Sequence, residues 1–157
     1  MTTPAELAEN YLAGIASLRK AVTGMTRDQL LARPVPGRWS TLEVVCHIAD
    51  FEPIFADRMK RIIALGDVPL LLVADENLFA GKLIYQERDA EEELAVVEAT
   101  RVQAARIIRS LSPTQLELTG CHSKRGILTL RQVIQGAIDH IPHHVKFILE
   151  KRAALGV

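Results

Sequence analysis

The sequence has little of what would commit it to an extracellular, membrane or nucleic-acid role. It contains two cysteines, Cys46 and Cys121. They form neither a CxxC pair nor a disulfide framework, so a reducing, cytoplasmic setting is expected. Aromatic residues make up only 4%, and Lys+Arg and Asp+Glu balance at 19 each, for a net charge of zero. Such a chain offers neither a phosphate clamp nor a stacking platform, which argues against a nucleic-acid partner. It also has no long-range attraction to acidic membranes. No apolar run reaches the length of a membrane span. The most apolar stretch, residues 68–74, is too short and contains Pro69. The first residues, Met1 to Glu6, lack the basic region and apolar core of a secretory signal. Strand patterns are nearly absent.

Helix signals fill the space. A length of 157 residues predicts one domain, residues 1–157. Six capping pairs recur, each with Glu or Gln three places after the cap: Thr3/Glu6, Thr26/Gln29, Ser40/Glu43, Asp89/Glu92, Ser112/Gln115 and Thr129/Gln132. Apolar residues spaced by three and four predict long helices over residues 4–23, 41–65, 90–111 and 130–154. A bend is expected at Pro53 and an interruption at Pro142. Residues 67–88 have little helical periodicity, and their apolar start is expected to cover something. Residues 120–128 read as a polar excursion. The fold class is therefore all-α: a four-helix bundle with a long crossover between the second and third helices, giving up-down-down-up order.

The chemistry-bearing residues are histidines. His140 and His144 stand four apart, on one helical face. His47 is the candidate third ligand. Three neutral imidazoles would hold a divalent metal and leave positions open for water or substrate, as catalytic sites do. The donor set suits zinc, nickel, copper or iron and does not choose among them. Asp50 and Glu43 flank His47, and Asp139 precedes His140. Asp50 is the best aimed as an orienting group or base. Gly136, one turn before His140, would leave room beside the metal. Cys46 reads as a small core residue, Cys121-His122 as part of a solvated loop, and His143 points away. Spacing alone leaves the alternative open that the histidines simply belong to the core.

The segment Gly37-Arg38-Trp39-Ser40-Thr41-Leu42-Glu43-Val44-Val45-Cys46-His47-Ile48-Ala49-Asp50 resembles the G-x-W-S-x-x-E-x-x-x-H-x-x-D stretch of the DinB-like superfamily. Asp139-His140-Ile141-Pro142-His143-His144 resembles its D-H-x-x-H-H motif, from which Pro142 is a local departure. Ala74 to Asn77 and Tyr85 to Asp89 are similar to the family's acidic stretch and to its tyrosine and Arg-Asp. The resemblance implies an up-down-down-up bundle, often dimeric. It also implies a divalent metal, nickel or zinc foremost with iron or manganese as others, on His47, His140 and His144. The activities implied are metal-dependent hydrolysis of a small molecule and transfer of a low-molecular-weight thiol. For the transferase form, Arg58 and Lys124 or Arg125 are the candidates to meet a cosubstrate's carboxylates. The alternative is a non-catalytic homodimeric scaffold or small-ligand binder with a structural or vestigial metal site.

Overall fold

The structure is a computed structural model that describes residues 2–157. Five of the six capping pairs close reciprocally: Thr3/Glu6, Thr26/Gln29, Ser40/Glu43, Ser112/Gln115 and Thr129/Gln132. In each, the hydroxyl accepts the amide three residues on, and the Glu or Gln accepts the cap's own amide. Asp89 does the capping alone, accepting from the Glu91 and Glu92 amides. These caps start helices α1 (Pro4–Val22), α2 (Arg27–Leu31), α3 (Thr41–Leu65), α5 (Ala90–Arg109) and α6 (Leu130–Leu155), and a 3-10 turn at Pro113–Glu117. Helices α3 and α6 run through Pro53 and Pro142 without a break. The expected interruption of α6 does not occur, because proline removes only one ladder bond of the helix around it.

Pairings between helices set the topology. Arg19 meets Glu91 and Glu98, and Arg109 meets Glu9, so α1 and α5 are antiparallel. Arg131 donates to the Thr2 carbonyl and Arg152 to the Ala21 and Thr23 carbonyls, so α1 and α6 are parallel. Glu52 pairs with Arg101 and Lys60 with Gln103, which runs α3 and α5 the same way. The order is up-down-down-up. Helices α1 and α3 sit at opposite corners, each packed against both α5 and α6.

Two stretches depart from the all-helical expectation. The crossover holds β1 (Leu70–Leu71) and a short helix, α4 (Glu76–Lys82), capped by the Asp75 carboxylate. The excursion before α6 is a hairpin of β2 (Thr119–His122) and β3 (Gly126–Thr129). Strand β2 pairs antiparallel with β3 and parallel with β1, with Leu71 opposite His122. Strands of two to four residues are too short to show a period, and backbone pairing, not sequence pattern, holds them. Gly120 allows the close approach: a Cβ there would lie 2.8 Å from Leu71 Cδ1. Of the apolar run, Leu71 is buried while Val68, Leu70, Leu72 and Val73 are exposed, so it covers less than its composition suggests.

One ion pair ties the four long helices together. Arg101 of α5 is fully buried and donates to Glu52 of α3 (2.7 Å), to the Tyr11 carbonyl of α1 (2.5 Å) and to the Ala137 carbonyl of α6 (2.7 Å). Gly14 makes room for it, since a Cβ at that position would fall against Arg101 Nη1. Gly14→Ala is therefore expected to lower folding stability by about 1–3 kcal/mol, the range of an overpacked core site. A urea titration checks this. An unchanged midpoint would mean that the guanidinium can shift freely.

Candidate metal centre

The second turn of α3 and the middle of α6 face each other. Antiparallel packing brings His47 opposite His144, with Phe55 beside His140. The Nε2 atom of His47 lies 3.0 Å from that of His140 and 3.1 Å from that of His144. Two nitrogens each about 2.0–2.1 Å from a shared ion would stand at such separations. His47 and His144 are buried and His140 is half-buried. Burial pulls their imidazoles down to about 4 (His47), about 2 (His140) and about 3 (His144), so a proton does not settle among them at neutral pH. In the tautomer with the proton on Nδ1 each ring turns an Nε2 lone pair to the point of convergence, where one cation would meet all three.

The three Nδ1 atoms are buried without hydrogen-bond partners. No carboxylate fixes the tautomers, and packing sets the ring orientations. Phe51 lies 4.4 Å and Trp39 5.2 Å from the His47 ring, Phe55 5.3 Å from His140, and Phe147 6.0 Å from His144 (centroid distances). Phe79 packs on Phe51. The chain's single Trp and all four Phe thus gather around this centre, out of an overall aromatic content of only 4%.

Asp50 sits one turn beyond His47, but its carboxylate is turned elsewhere. It accepts from the Tyr85 hydroxyl at 2.8 Å and from both terminal nitrogens of Arg88 at 3.1 and 2.9 Å. Arg88 also pairs with Glu93. Asp50 thereby fastens α3 to the end of the crossover. Glu43 is held by its capping box and by Arg33. Asp139 is exposed and accepts from Gln135. Cys46 is buried, near the Tyr85 carbonyl, and burial pushes its thiol up to about 12. His143 meets the rings of His144 and Phe147 edge-to-face, outside the convergent set. At Gly136 a Cβ would meet only Phe55, at 3.9 Å. His122 differs from its solvated-loop reading: it is buried on β2, with Nδ1 accepting the Lys124 and Arg125 amides.

The histidines open into a cleft of about 570 Å³. Arg38, Arg58, Arg125 and Lys151 line it, against one acidic side chain, Glu76. Lys124 is not among the lining residues, so of the two hairpin cations it is Arg125 that reaches the cleft.

The sequence profile of the DinB superfamily matches residues 11–148. The chain belongs to the DinB superfamily. It is 28% identical to a candidate metal-dependent hydrolase of Oceanobacillus iheyensis, over 83% of this chain and 75% of that protein. It is 26% identical to another from Bacillus licheniformis, over 88% and 79% respectively. The solved structure of YfiT from Bacillus subtilis, described as having an unusual four-helix bundle topology, superposes with a TM-score of 0.90 at 23% identity. That superposition covers 98% of this chain and 87% of YfiT. In this member of the superfamily the sequence pattern does not mark Phe51 or Lys151 as part of the cleft, and it places Glu76 only within an acidic stretch. The spacing of Phe51 and Phe55, four and eight residues after His47, was the available signal.

Proposed function

We propose that this protein is a metal-dependent hydrolase of small molecules, with a divalent ion held by His47, His140 and His144. The observation that carries the reading is the convergence of three neutral Nε2 atoms at 3.0 and 3.1 Å on an open cleft. The names of the relatives point the same way. When bound, a divalent ion supplies Lewis acidity, making water or a thiol a nucleophile at neutral pH. The chain's own residues do the rest. The aromatic collar excludes water from all but the open side. The cations at the cleft orient a substrate. Glu76, the acidic residue of the lining, is the proton acceptor in this reading, while Asp50 positions α3 through Arg88 and Tyr85. The nitrogen donor set suits zinc, nickel, copper or iron alike, and the family resemblance puts zinc and nickel first.

A cleft of about 570 Å³ holds an organic ligand as readily as water, which favours one second reading: transfer of a low-molecular-weight thiol at the same centre. The test is metal content per chain by elemental mass spectrometry, on protein purified without a histidine tag. About one ion per chain is expected in the wild type, and loss of nearly all of it in His140→Ala. Absence of metal in the wild type after reconstitution with zinc, nickel, iron and manganese would sink the reading. Assays of ester and amide hydrolysis, and of thiol transfer, on the loaded protein then separate the two reactions.

A further inference from the structure

Arg58 is a buried charge that forms no ion pair among the described residues. Only 9% of it is exposed, one terminal nitrogen donates to the Leu72 carbonyl at 2.6 Å, and its Nε is buried with no partner. The carboxylate next to it in sequence, Asp57, pairs instead with Arg61 at 2.6 Å. The Asp57 charge favours the Arg58 cation only from a distance, and it is opposed by Arg125, while Arg58 and Arg125 together act on His122. The His122 Nδ1 accepts backbone amides, so in the neutral ring the proton sits on Nε2 and that face is a donor. Burial works against the Arg58 charge first and Arg125 second, yet a guanidinium does not deprotonate in proteins.

A buried, unpaired charge is a large cost that folded proteins normally offset with a partner. Elsewhere in this chain Arg88 and Arg101 have theirs, in Asp50 with Glu93 and in Glu52. None of the cations lining the cleft forms an ion pair among the described residues. Arg58 and Arg125 line the cleft that also contains the three convergent histidines. The missing partner is therefore an anion that enters from the cleft.

We infer that Arg58 and Arg125 form an anion subsite beside the histidine centre, which binds the carboxylate or phosphate of the substrate. Arg58 supplies the fixed, desolvated charge, which its hydrogen bond to the Leu72 carbonyl leaves uncompensated. Arg125, exposed on the hairpin turn, closes from the other side. The apolar face of Phe55 carries the Arg58 guanidinium, 5.8 Å from its centroid, and leads from the anion subsite to His140. As a substrate subsite this rests on the hydrolase reading, but as an anion site it stands without a metal.

The test uses metal-free protein, so that anions cannot bind a metal ion. Calorimetric titration with inorganic phosphate and, separately, with succinate is expected to show one saturable site, and the tighter of the two identifies the anion. Arg58→Gln should weaken it by about 30-fold or more, and Arg58→Lys should restore part of the loss. Arg125→Gln, at an exposed position, should weaken it by about tenfold while leaving the thermal midpoint unchanged. Anion-dependent stabilisation seen in the wild type should vanish in Arg58→Gln. The inference is overturned if neither anion binds the wild type. It is equally overturned if both glutamine variants, shown folded by circular dichroism, bind as the wild type does. Metal content is measured on the same variants as purified, before the metal is removed. Its retention in Arg58→Gln separates loss of the anion site from loss of the centre.

Discussion

Arg101→Met is expected to lower folding stability by about 3–5 kcal/mol, the cost of removing one partner of a buried ion pair. Arg101 and Glu52 are both fully buried, so the methionine leaves a carboxylate with only the Tyr11 hydroxyl, at 2.8 Å. Burial already raises the Glu52 carboxyl above its ordinary range, opposed by the Arg101 charge and its hydrogen bond. Without the arginine that opposition disappears, and Glu52 takes up a proton in the folded state. The two helix carbonyls at Tyr11 and Ala137 also lose a donor. The double variant Arg101→Met, Glu52→Met should recover most of the loss, because a well-packed apolar pair of similar volume is close to neutral against a buried ion pair. Denaturant titrations of wild type, both single variants and the double variant measure the coupling directly. A single-variant loss under about 1 kcal/mol would mean that the pair orders the helices without stabilising them.

How much of this was legible in the sequence depended on how local each signal was. The long helices were written in capping residues and their partners three places on, so their starts were readable at Thr3, Ser40 and Thr129. The histidine set was readable because two of its members share one helix face, and the third lies within a motif on another. What was not legible lies between distant segments. The preference of Asp50 for Arg88, 38 residues away, is fixed by how the crossover docks, and no spacing reveals it. The same holds for Arg58, whose burial depends on Leu72 and the hairpin folding over it. The helical pattern places Arg58 on the His47 face but does not show its burial. The short strands around Gly120 escaped because their order comes from backbone pairing. In each case the hidden feature is the docking of an irregular segment against the bundle, and those segments shape the cleft.

Between pH 6.5 and about pH 5, the metal-free protein is expected to lose about 5 kcal/mol of folding stability through its three clustered histidines. In the unfolded chain each titrates near the ordinary 6.5, whereas in the folded protein burial holds them at about 4, 2 and 3. Over that window the unfolded state binds more protons, so stability rises with pH. The contribution is fully present above the unfolded value and is lost as pH falls toward the folded ones. Each group adds up to about 1.4 kcal/mol per pH unit. A total near 5 kcal/mol is comparable to the whole stability of a marginal domain. Glu52, raised by burial, works in the opposite sense, so the informative quantity is the difference from a variant lacking the cluster. That variant is His47→Gln with His140→Gln and His144→Gln, titrated with urea in the presence of chelator across the same window. Its stability should fall far less over that window than the wild type's, the remainder coming from the buried His122 and, with opposite sign, Glu52. Parallel curves would show that the histidines are hydrated and protonate within the folded state, and the dry, neutral pocket on which selective cation binding depends would then not exist. A steep wild-type curve would tie the centre to acid sensitivity. The same burial that keeps three nitrogens free for a metal makes the empty site intolerant of protons.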